Sequence, residues 1–552
     1  MENKIIAKGT DTQTEVINGV RKAVGAIKTT LGPSGKCVAI HTSYGVDITR
    51  DGATVSKSIS LKSQTEDIGA QLIRKAAENT ERQAGDGTSS VSVLTEEMCI
   101  RGQKALKVGA NVNEIKSGMI KAEKFVKDYI ASQAIPVGND LEKVRQIATI
   151  SANNDPEVGN LIADCLGKLG MGATITADMS SGLETTIDVV AGMKVERGWS
   201  SPAFITDPKS GECTLEDAYV AVFGERISSV SQLVPVLESM QKSGVMKPIL
   251  FIVDEMDENV LQMLAFNVVS GALRCCVIKG IDFGDGRKNQ MQDIATFTGA
   301  DFFCQENGTE VSQATVANLG KAEKIVINRD HTIITGGFGS PDEIEARAEI
   351  IKAKLQDPAI TDYDKTKYEK RLSNLTGGIG VIKAGGATEA EKTNRKATIE
   401  DAILASRSAI AEGCVPGSGY VFLNASIAGK KDTKFFNSLV GDEKEGAMIV
   451  FDSLPVIMKT IAMNCGMSPD VVVDTVSKKK NKPGEAWGLN AKTKKFSNLV
   501  EDGILDSAKV LRVSLENSIS TASMILLIDC TIIDEPQKDC CCGGERTETG
   551  NF

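Results

Sequence analysis

Asp86 lies between two glycines and is followed by three hydroxyl side chains. The run Gly85-Asp86-Gly87-Thr88-Ser89-Ser90 is suited to holding phosphate groups and a divalent cation. Glycines let a backbone approach a ligand closely and take turn dihedrals. Apolar periodicity resumes directly after the run, so Thr88, Ser89 and Ser90 open a helix, and the N–H groups of a helix N-terminus attract anions. A carboxylate among phosphate ligands is repelled unless a cation lies between them, so Asp86 reads as a magnesium ligand. The same six residues also read as a plain Gly-rich turn between helices, because short motifs recur by chance.

Further phosphate-friendly turns occur far along the chain. They are Thr30-Leu31-Gly32-Pro33, Arg50-Asp51-Gly52, Ile150-Ser151-Ala152-Asn153 and Cys414-Val415-Pro416-Gly417-Ser418-Gly419. Each is weak alone, so the elements that position them matter. Asp11 is placed to cap a helix carrying Val16, Val20, Val24, Ile27 and Leu31 on one face. Gly32-Pro33 stops that helix. Strand signals follow at 38–40 and 46–48, Asp51-Gly52 reads as an Asp-Gly turn, and helical periods run over 65–84, 88–107 and 113–132.

From 185 to 376 the texture changes. Dense apolar runs such as Tyr219 to Phe223 and Ile249 to Val253 alternate with helical segments near 228–243, 257–271 and 287–299. Such alternation predicts an α/β domain on a largely parallel sheet. A charged helical stretch over 341–375 closes it, Gly377-Gly378 breaks the pattern, and 379–382 reads as a strand. Helices return over 386–530, with a turn-rich strand region near 483–500. The order helical, mixed, helical implies one domain inserted into another: a mixed α and α/β fold.

At 552 residues the chain is too long for one core. Its hydrophobic and charged fractions, 41% and 25%, are those of a globular protein. No apolar run predicts a membrane span, and the N-terminal residues show no targeting pattern, so a cytoplasmic location is expected. A net charge of -10 argues against nucleic-acid binding. Thirteen cysteines without a C-x-x-C pair, and only His41 and His331 beside them, argue against a zinc site or a disulfide framework. Cys540-Cys541-Cys542 lies in a polar tail expected to be disordered, where chance clustering competes with thiol chemistry or metal capture.

Taken in order, these turns together with Ile399-Glu400-Asp401-Ala402 resemble the group I (GroEL-like) chaperonins. The likeness extends from about residue 5 to Gln537 and includes Thr149 to Asn153, Gly192 to Phe204, Gln292 to Thr296 and Asp362-Tyr363-Asp364. It implies an ATP-binding equatorial domain from 1–134 and 412–537, intermediate segments at 135–190 and 378–411, an apical domain at 191–377 and a tail at 538–552. It also implies a homo-oligomeric, seven-fold ring that encloses unfolded polypeptides, with a co-chaperonin lid as a further partner.

The resemblance assigns roles by position. Thr30, Leu31, Gly32, Pro33, Gly87, Thr88, Ser89, Ser90, Ile150, Ser151, Gly417, Ser418, Asn490, Ala491 and Glu501 fall where the family binds ATP. Asp86 matches the Mg2+ ligand, while Thr30, Arg50 and Ser89 lie where K+ is bound. Asp51 and Asp401 match the acids that position the attacking water, and phosphoryl transfer needs positioning more than covalent chemistry. ATP would draw Asp401 toward Asp86, with Gly192, Gly377-Gly378, Pro136 and Gly413 as hinges. The client rim would use Trp199, Ser201, Ala203, Phe204, Val234, Leu237, Leu261, Ala265 and Phe266, residues that periodicity alone assigns to a core.

Departures mark a divergent member, with viral origin one reading of them. Leu489 stands where a tyrosine is usual, Glu501 where an aspartate meets the ribose, and Ser418 within a Gly-Gly-Gly turn. Met467-Ser468 replaces an acidic pair that contacts an opposite ring, which bears on single or double ring architecture. An ATP-driven folding chamber is expected. The competing reading is a ring-shaped binding or assembly scaffold with weak ATP turnover, and folding without a separate lid is a third.

Overall fold

In the computed structural model, the chain divides into two compact units. One comprises Met1–Ala163 with Ala397–Phe552, and the other Asp164–Lys396. The structure describes residues 4–534 apart from 43–44, 153, 181, 209–210, 243, 245–246, 281–283, 305–307, 357–361 and 480–483. Asn153 and the Cys540-Cys541-Cys542 tail lie outside the described residues.

The two-segment unit is helical. Helices Thr10–Ile27, Gln64–Ala84, Thr88–Lys107, Val112–Gln133 and Ala508–Leu526 turn their apolar faces inward. Val16, Val20, Ile73, Leu94, Met98, Ile115, Met119, Phe451, Leu515 and Ile519 meet in one buried core. Each such side chain contributes about 1.5–3 kcal/mol by leaving water. Capping fixes several boundaries. Ser63 Oγ accepts from Glu66 N–H, Asn111 accepts from Asn113 N–H, and Gly85 ends its helix in the left-handed conformation.

Two sequence expectations change here. The N-cap of the first helix is Gly9, and Asp11 sits inside the first turn, where it favours the helix dipole instead of capping. Asp51-Gly52 is not an open turn. Asp51 is the N-cap of helix Gly52–Lys57 and accepts from Ala53 N–H at 3.1 Å and Thr54 N–H at 2.7 Å.

Four short antiparallel pairs lie in this unit, two of them joining segments far apart in the chain and two of them hairpins. Lys4–Lys8 pairs with Cys530–Asp534, Val38–Thr42 with Gly45–Thr49, Cys414–Pro416 with Leu505–Ser507, and Trp487–Asn490 with Lys495–Asn498. One helical stretch, Glu443–Asn464, is long and apolar enough by composition to cross a membrane, contrary to the expectation from sequence. It is interrupted near Leu454-Pro455 and is 67% buried in the core.

The single-segment unit carries a nine-stranded sheet. Its order is Thr174–Met179, Gly378–Ala384, Thr186–Val195, Thr332–Gly337, Gly320–Ile327, Cys213–Ile227, Ile249–Met256, Cys275–Lys279, with Phe302–Phe303 also on Cys213–Ile227. The sheet is mixed, which corrects the expectation of a largely parallel one. Cys213–Ile227, Ile249–Met256, Cys275–Lys279 and Phe302–Phe303 run parallel, linked through helices as dense apolar strands require. From Cys213–Ile227 to Gly320–Ile327 and on through Thr332–Gly337 and Thr186–Val195 to Gly378–Ala384, every pairing is antiparallel. The charged stretch forms two helices, Pro341–Leu355 and Asp362–Thr376. Each sends an arginine, Arg347 or Arg371, to buried Asp293 at 2.7 Å.

Candidate nucleotide site

The turn 85–87 owes its shape to two glycines. Gly85 has φ 78° and Gly87 φ 95°, values that a side chain opposes. Space forbids a side chain as well. A Cβ on Gly85 would lie 2.0 Å from the Leu404 Cβ, and one on Gly87 would lie 2.4 Å from Ser514 Oγ. Helix Glu389–Glu412 therefore rides directly on the turn, and Ser408 Oγ donates to the Ala84 carbonyl at 2.7 Å. This contact sets Asp401 within electrostatic reach of Asp51 and Asp86. The charges of Asp51 and Asp86 are thus felt at Asp401 in this structure.

The Asp86 carboxylate accepts from Gly87 N–H at 2.5 Å and from Ser151 Oγ at 3.1 Å. Burial raises its pKa above the ordinary carboxylate value, those two hydrogen bonds oppose the rise, and Asp51 adds to it. Asp401 is held well above its usual value, first by burial and then by the charges of Asp51, Asp86 and Glu81. Glu81 is raised by burial, with Lys57 at 3.2 Å pulling the other way. Acids gathered so closely repel one another, and a cation among them would relieve that cost.

No group of three or more His, Cys, Asp or Glu is arranged to hold a metal among the described residues. Magnesium needs no such cage, since it binds through one or two carboxylates, water and phosphate oxygens. The surroundings fit a nucleotide. The hydroxyls of Ser418 and Ser514 are buried without a hydrogen-bond partner, as groups awaiting a polar ligand would be.

The Thr30 turn completes one side. Thr30 Oγ1 donates to the Ile27 carbonyl at 2.9 Å and lies 3.2 Å from Ser89 Oγ. Arg50 Nη2 donates to the Gly32 carbonyl at 2.6 Å. A Cβ on Gly52 would lie 2.3 Å from Ser89 Oγ, so the helix that Asp51 caps abuts the start of helix Thr88–Lys107. Thr30, Arg50, Asp51, Thr88 and Ser89 are thereby drawn together by short contacts, next in the chain to the Asp86–Ser151 pair. The Thr30 and Ser89 hydroxyls are spaced as two ligands of a monovalent cation could be.

On the other side two acids lie five residues apart. Glu501 is exposed. The acid turned toward the site is Asp506, on strand Leu505–Ser507, whose carboxylate lies 3.1 Å from a Cβ placed on Gly417. Burial, and secondarily Asp86, push Asp506 up to about 7. Sequence reading missed it, although it follows the apolar pair Ile504-Leu505, a pattern that predicts an inward strand. Ser418 adopts φ 57°, so the serine has taken the left-handed conformation of the glycine it replaces. Asn490 Nδ2 donates to Asp502 at 2.8 Å, Ala491 is buried, and Leu489 is part of the core and presents no group to a ligand.

The residues assigned to a client rim divide in two. Phe204 is 0% exposed and Leu261 5%, so both are core and neither meets a client from the surface, which corrects that assignment. Phe204 closes a single 3-10 turn, Pro202–Phe204, and Leu261 points inward from helix Glu258–Val269. Trp199, Leu237 and Ala265 are half-buried against the same core. Phe266, at 73%, is exposed, as is Val269, which sequence reading missed; Val234 is at the margin. Phe266 and Val269 are three apart and share a helix face.

A sequence profile described as the TCP-1/cpn60 chaperonin family matches residues 24–536. Among solved structures, the chain is similar to the chaperonin gp146 from the bacteriophage EL 2 (Pseudomonas aeruginosa), crystallised in the presence of ATP-BeFx. The TM-score is 0.69 at 20% identity, covering 96% of this chain and 99% of that one.

Proposed function

The chain belongs to the TCP-1/cpn60 chaperonin family, whose members are ATPases that fold proteins, and we propose that its carboxylate cluster runs that cycle. Asp86 would hold Mg2+, which when bound offsets the charge of the phosphates. The N–H groups at Thr88, Ser89 and Ser90 would cradle phosphate oxygens, and Ser151 would keep the Asp86 carboxylate oriented. Asp51 and Asp401 would position the attacking water. Burial and neighbouring acids give Asp401 a raised proton affinity, which suits a group that receives a proton from water. Ser418 and Asp506 would meet the rest of the nucleotide, with Asp506 replacing Glu501 in that role. Thr30 and Ser89 would offer K+ their hydroxyls.

The observation that supports this reading is the Leu404–Gly85 contact, which packs the helix bearing Asp401 against the Asp86 turn, where the charges of Asp51 and Asp86 reach it. A scaffold has no chemical need for half-buried acids that interact in this way. The three-part division, with equatorial segments 1–134 and 412–537, intermediate segments 135–190 and 378–411 and an apical part 191–377, belongs to the same proposal. So does assembly into a seven-fold ring in the cytoplasm, with or without a lid. Ring assembly is supported by two exposed ribbons in the two-segment unit. Val46 and Ile48 stand out on one, and Ile6 and Ile532 on the other. The outer edges of exposed apolar two-stranded ribbons recruit further strands. Clients would meet Val234, Phe266 and Val269.

The test is phosphate release by the wild type and by Asp401→Ala, with native mass measurement of the assembly. Turnover by the wild type in a large ring, with Asp401→Ala binding ATP but stalled, is expected. An intact ring without turnover in magnesium and potassium would transfer the case to the scaffold reading.

A further inference from the structure

The turn at Thr30 to Pro33 is held from outside by a residue with no role so far. Asn464 ends helix Val456–Asn464, and its Nδ2 donates to the Lys28 carbonyl at 2.9 Å and to the Leu31 carbonyl at 2.8 Å. Both carbonyls lie where helix Thr10–Ile27 and its closing 3-10 turn Lys28–Thr30 run out, past most of the helix's own donors. The bond from Leu31 N–H to Lys28 O is long at 3.4 Å, while Gly35 N–H to Gly32 O at 3.0 Å and Lys36 N–H to Thr29 O at 2.8 Å close the far side of the turn, so the amide is what holds the Leu31 carbonyl. One helical turn earlier, Ile461 packs against Gly32, 3.3 Å from where a Cβ would be. The helix therefore offers this turn one apolar and one polar contact at i and i+3. From another direction, Arg50 fixes the Gly32 carbonyl at 2.6 Å.

The consequence for a ligand follows from peptide geometry. In a trans peptide the carbonyl and the following N–H point in opposite directions. With the Leu31 carbonyl turned to Asn464, the Gly32 N–H faces away from that helix, and it makes no hydrogen bond among the described residues. We propose that Asn464 is a positioning residue for nucleotide binding, aiming the Gly32 N–H at a phosphate oxygen by anchoring the Leu31 carbonyl. The inference rests on the nucleotide reading of this turn.

The experiment measures ATP hydrolysis of the assembled protein well below its melting temperature. Asn464→Ala, Asn464→Asp and Asn464→Gln are compared with the wild type. Asn464→Ala is expected to raise KM for ATP about tenfold, the scale of two lost hydrogen bonds. Its kcat should stay within about threefold, as for an interaction made equally in the bound and transition states. Asn464→Asp, which sets a carboxylate against two carbonyls, should raise KM further. Asn464→Gln keeps the donor and should recover most of the loss. A purely structural role would lower the melting temperature of Asn464→Ala and leave KM unchanged, and that result overturns the proposal. If Asn464→Ala does not assemble, Asn464→Ser carries the same comparison, because its hydroxyl can serve one of the two carbonyls. A wild type without turnover would refute the nucleotide reading itself, an outcome distinct from an active wild type with unaltered KM in the variants.

Discussion

Gly85→Ala is the sharpest perturbation the geometry offers. The new methyl would have to exist at φ 78°, which costs an L-residue about 1–2 kcal/mol. It would also begin 2.0 Å from the Leu404 Cβ. Carbon atoms settle at about 3.5–4.0 Å, so helix Glu389–Glu412 must withdraw by roughly 1.5 Å or more. That helix carries Asp401. A displacement of about 1 Å in a catalytic group costs on the order of a hundredfold in rate, or about 2.7 kcal/mol of barrier. The expected result is a kcat for ATP hydrolysis lowered about a hundredfold, with ATP affinity within a few-fold, because Asp86 and the helix N-terminus are not moved. Steady-state phosphate release and binding of a fluorescent ATP analogue measure the two separately. Leu404→Gly in the Gly85→Ala background removes the opposing Cβ and should recover about tenfold. An assembled Gly85→Ala protein with kcat within about threefold of the wild type would refute the argument that this contact sets Asp401.

Three other outcomes follow from the site. Ser418→Gly relieves a left-handed serine and should raise stability in the absence of nucleotide by about 0.5–1 kcal/mol in urea titration. It should also weaken ATP binding several-fold by removing a buried hydroxyl. Asp506→Asn should raise KM for ATP at least tenfold, and Glu501→Gln should leave it unchanged, a contrast that separates the half-buried acid from the exposed one. Without nucleotide, stability should fall as pH rises. A carboxyl whose folded pKa is raised stabilises the fold fully below its unfolded value of about 3.9. For Asp506 that contribution is lost as pH rises through about 7. Thermal melts between pH 5 and 8 should show the decline, and Asp506→Asn should flatten it.

Much of the fold was legible because local signals agreed with the final packing. Helices predicted over 65–84 and 88–107 are found at Gln64–Ala84 and Thr88–Lys107. A serine cap, a left-handed glycine and an apolar stripe all spoke for those boundaries. The antiparallel half of the sheet was not legible. Its pairings join strands as far apart as Thr186–Val195 and Gly378–Ala384, and no local pattern encodes such a partner. The site shows the same limit. The turn about Asp86 is legible through its glycines, which take the left-handed conformation their positions require. Glu501 and Asp506 are only five residues apart and chemically alike, and what separates them is the pairing of Leu505–Ser507 with Cys414–Pro416. Phe204 and Phe266 are equally apolar in sequence, and only the packed structure puts one inside and the other outside.

The pairing of Lys4–Lys8 with Cys530–Asp534 bears on how the molecule is made. The core beneath it joins side chains from Val16 to Ile130 with others from Val415 to Leu526. While the ribosome is still adding Asp164–Lys396, the first half of that core has nothing to close against. At ordinary synthesis rates of about 5–20 residues per second, the wait is on the order of half a minute. The inserted unit, with its own core and continuous chain, can fold meanwhile. During that interval a nascent subunit exposes the kind of surface that its finished relatives exist to shelter.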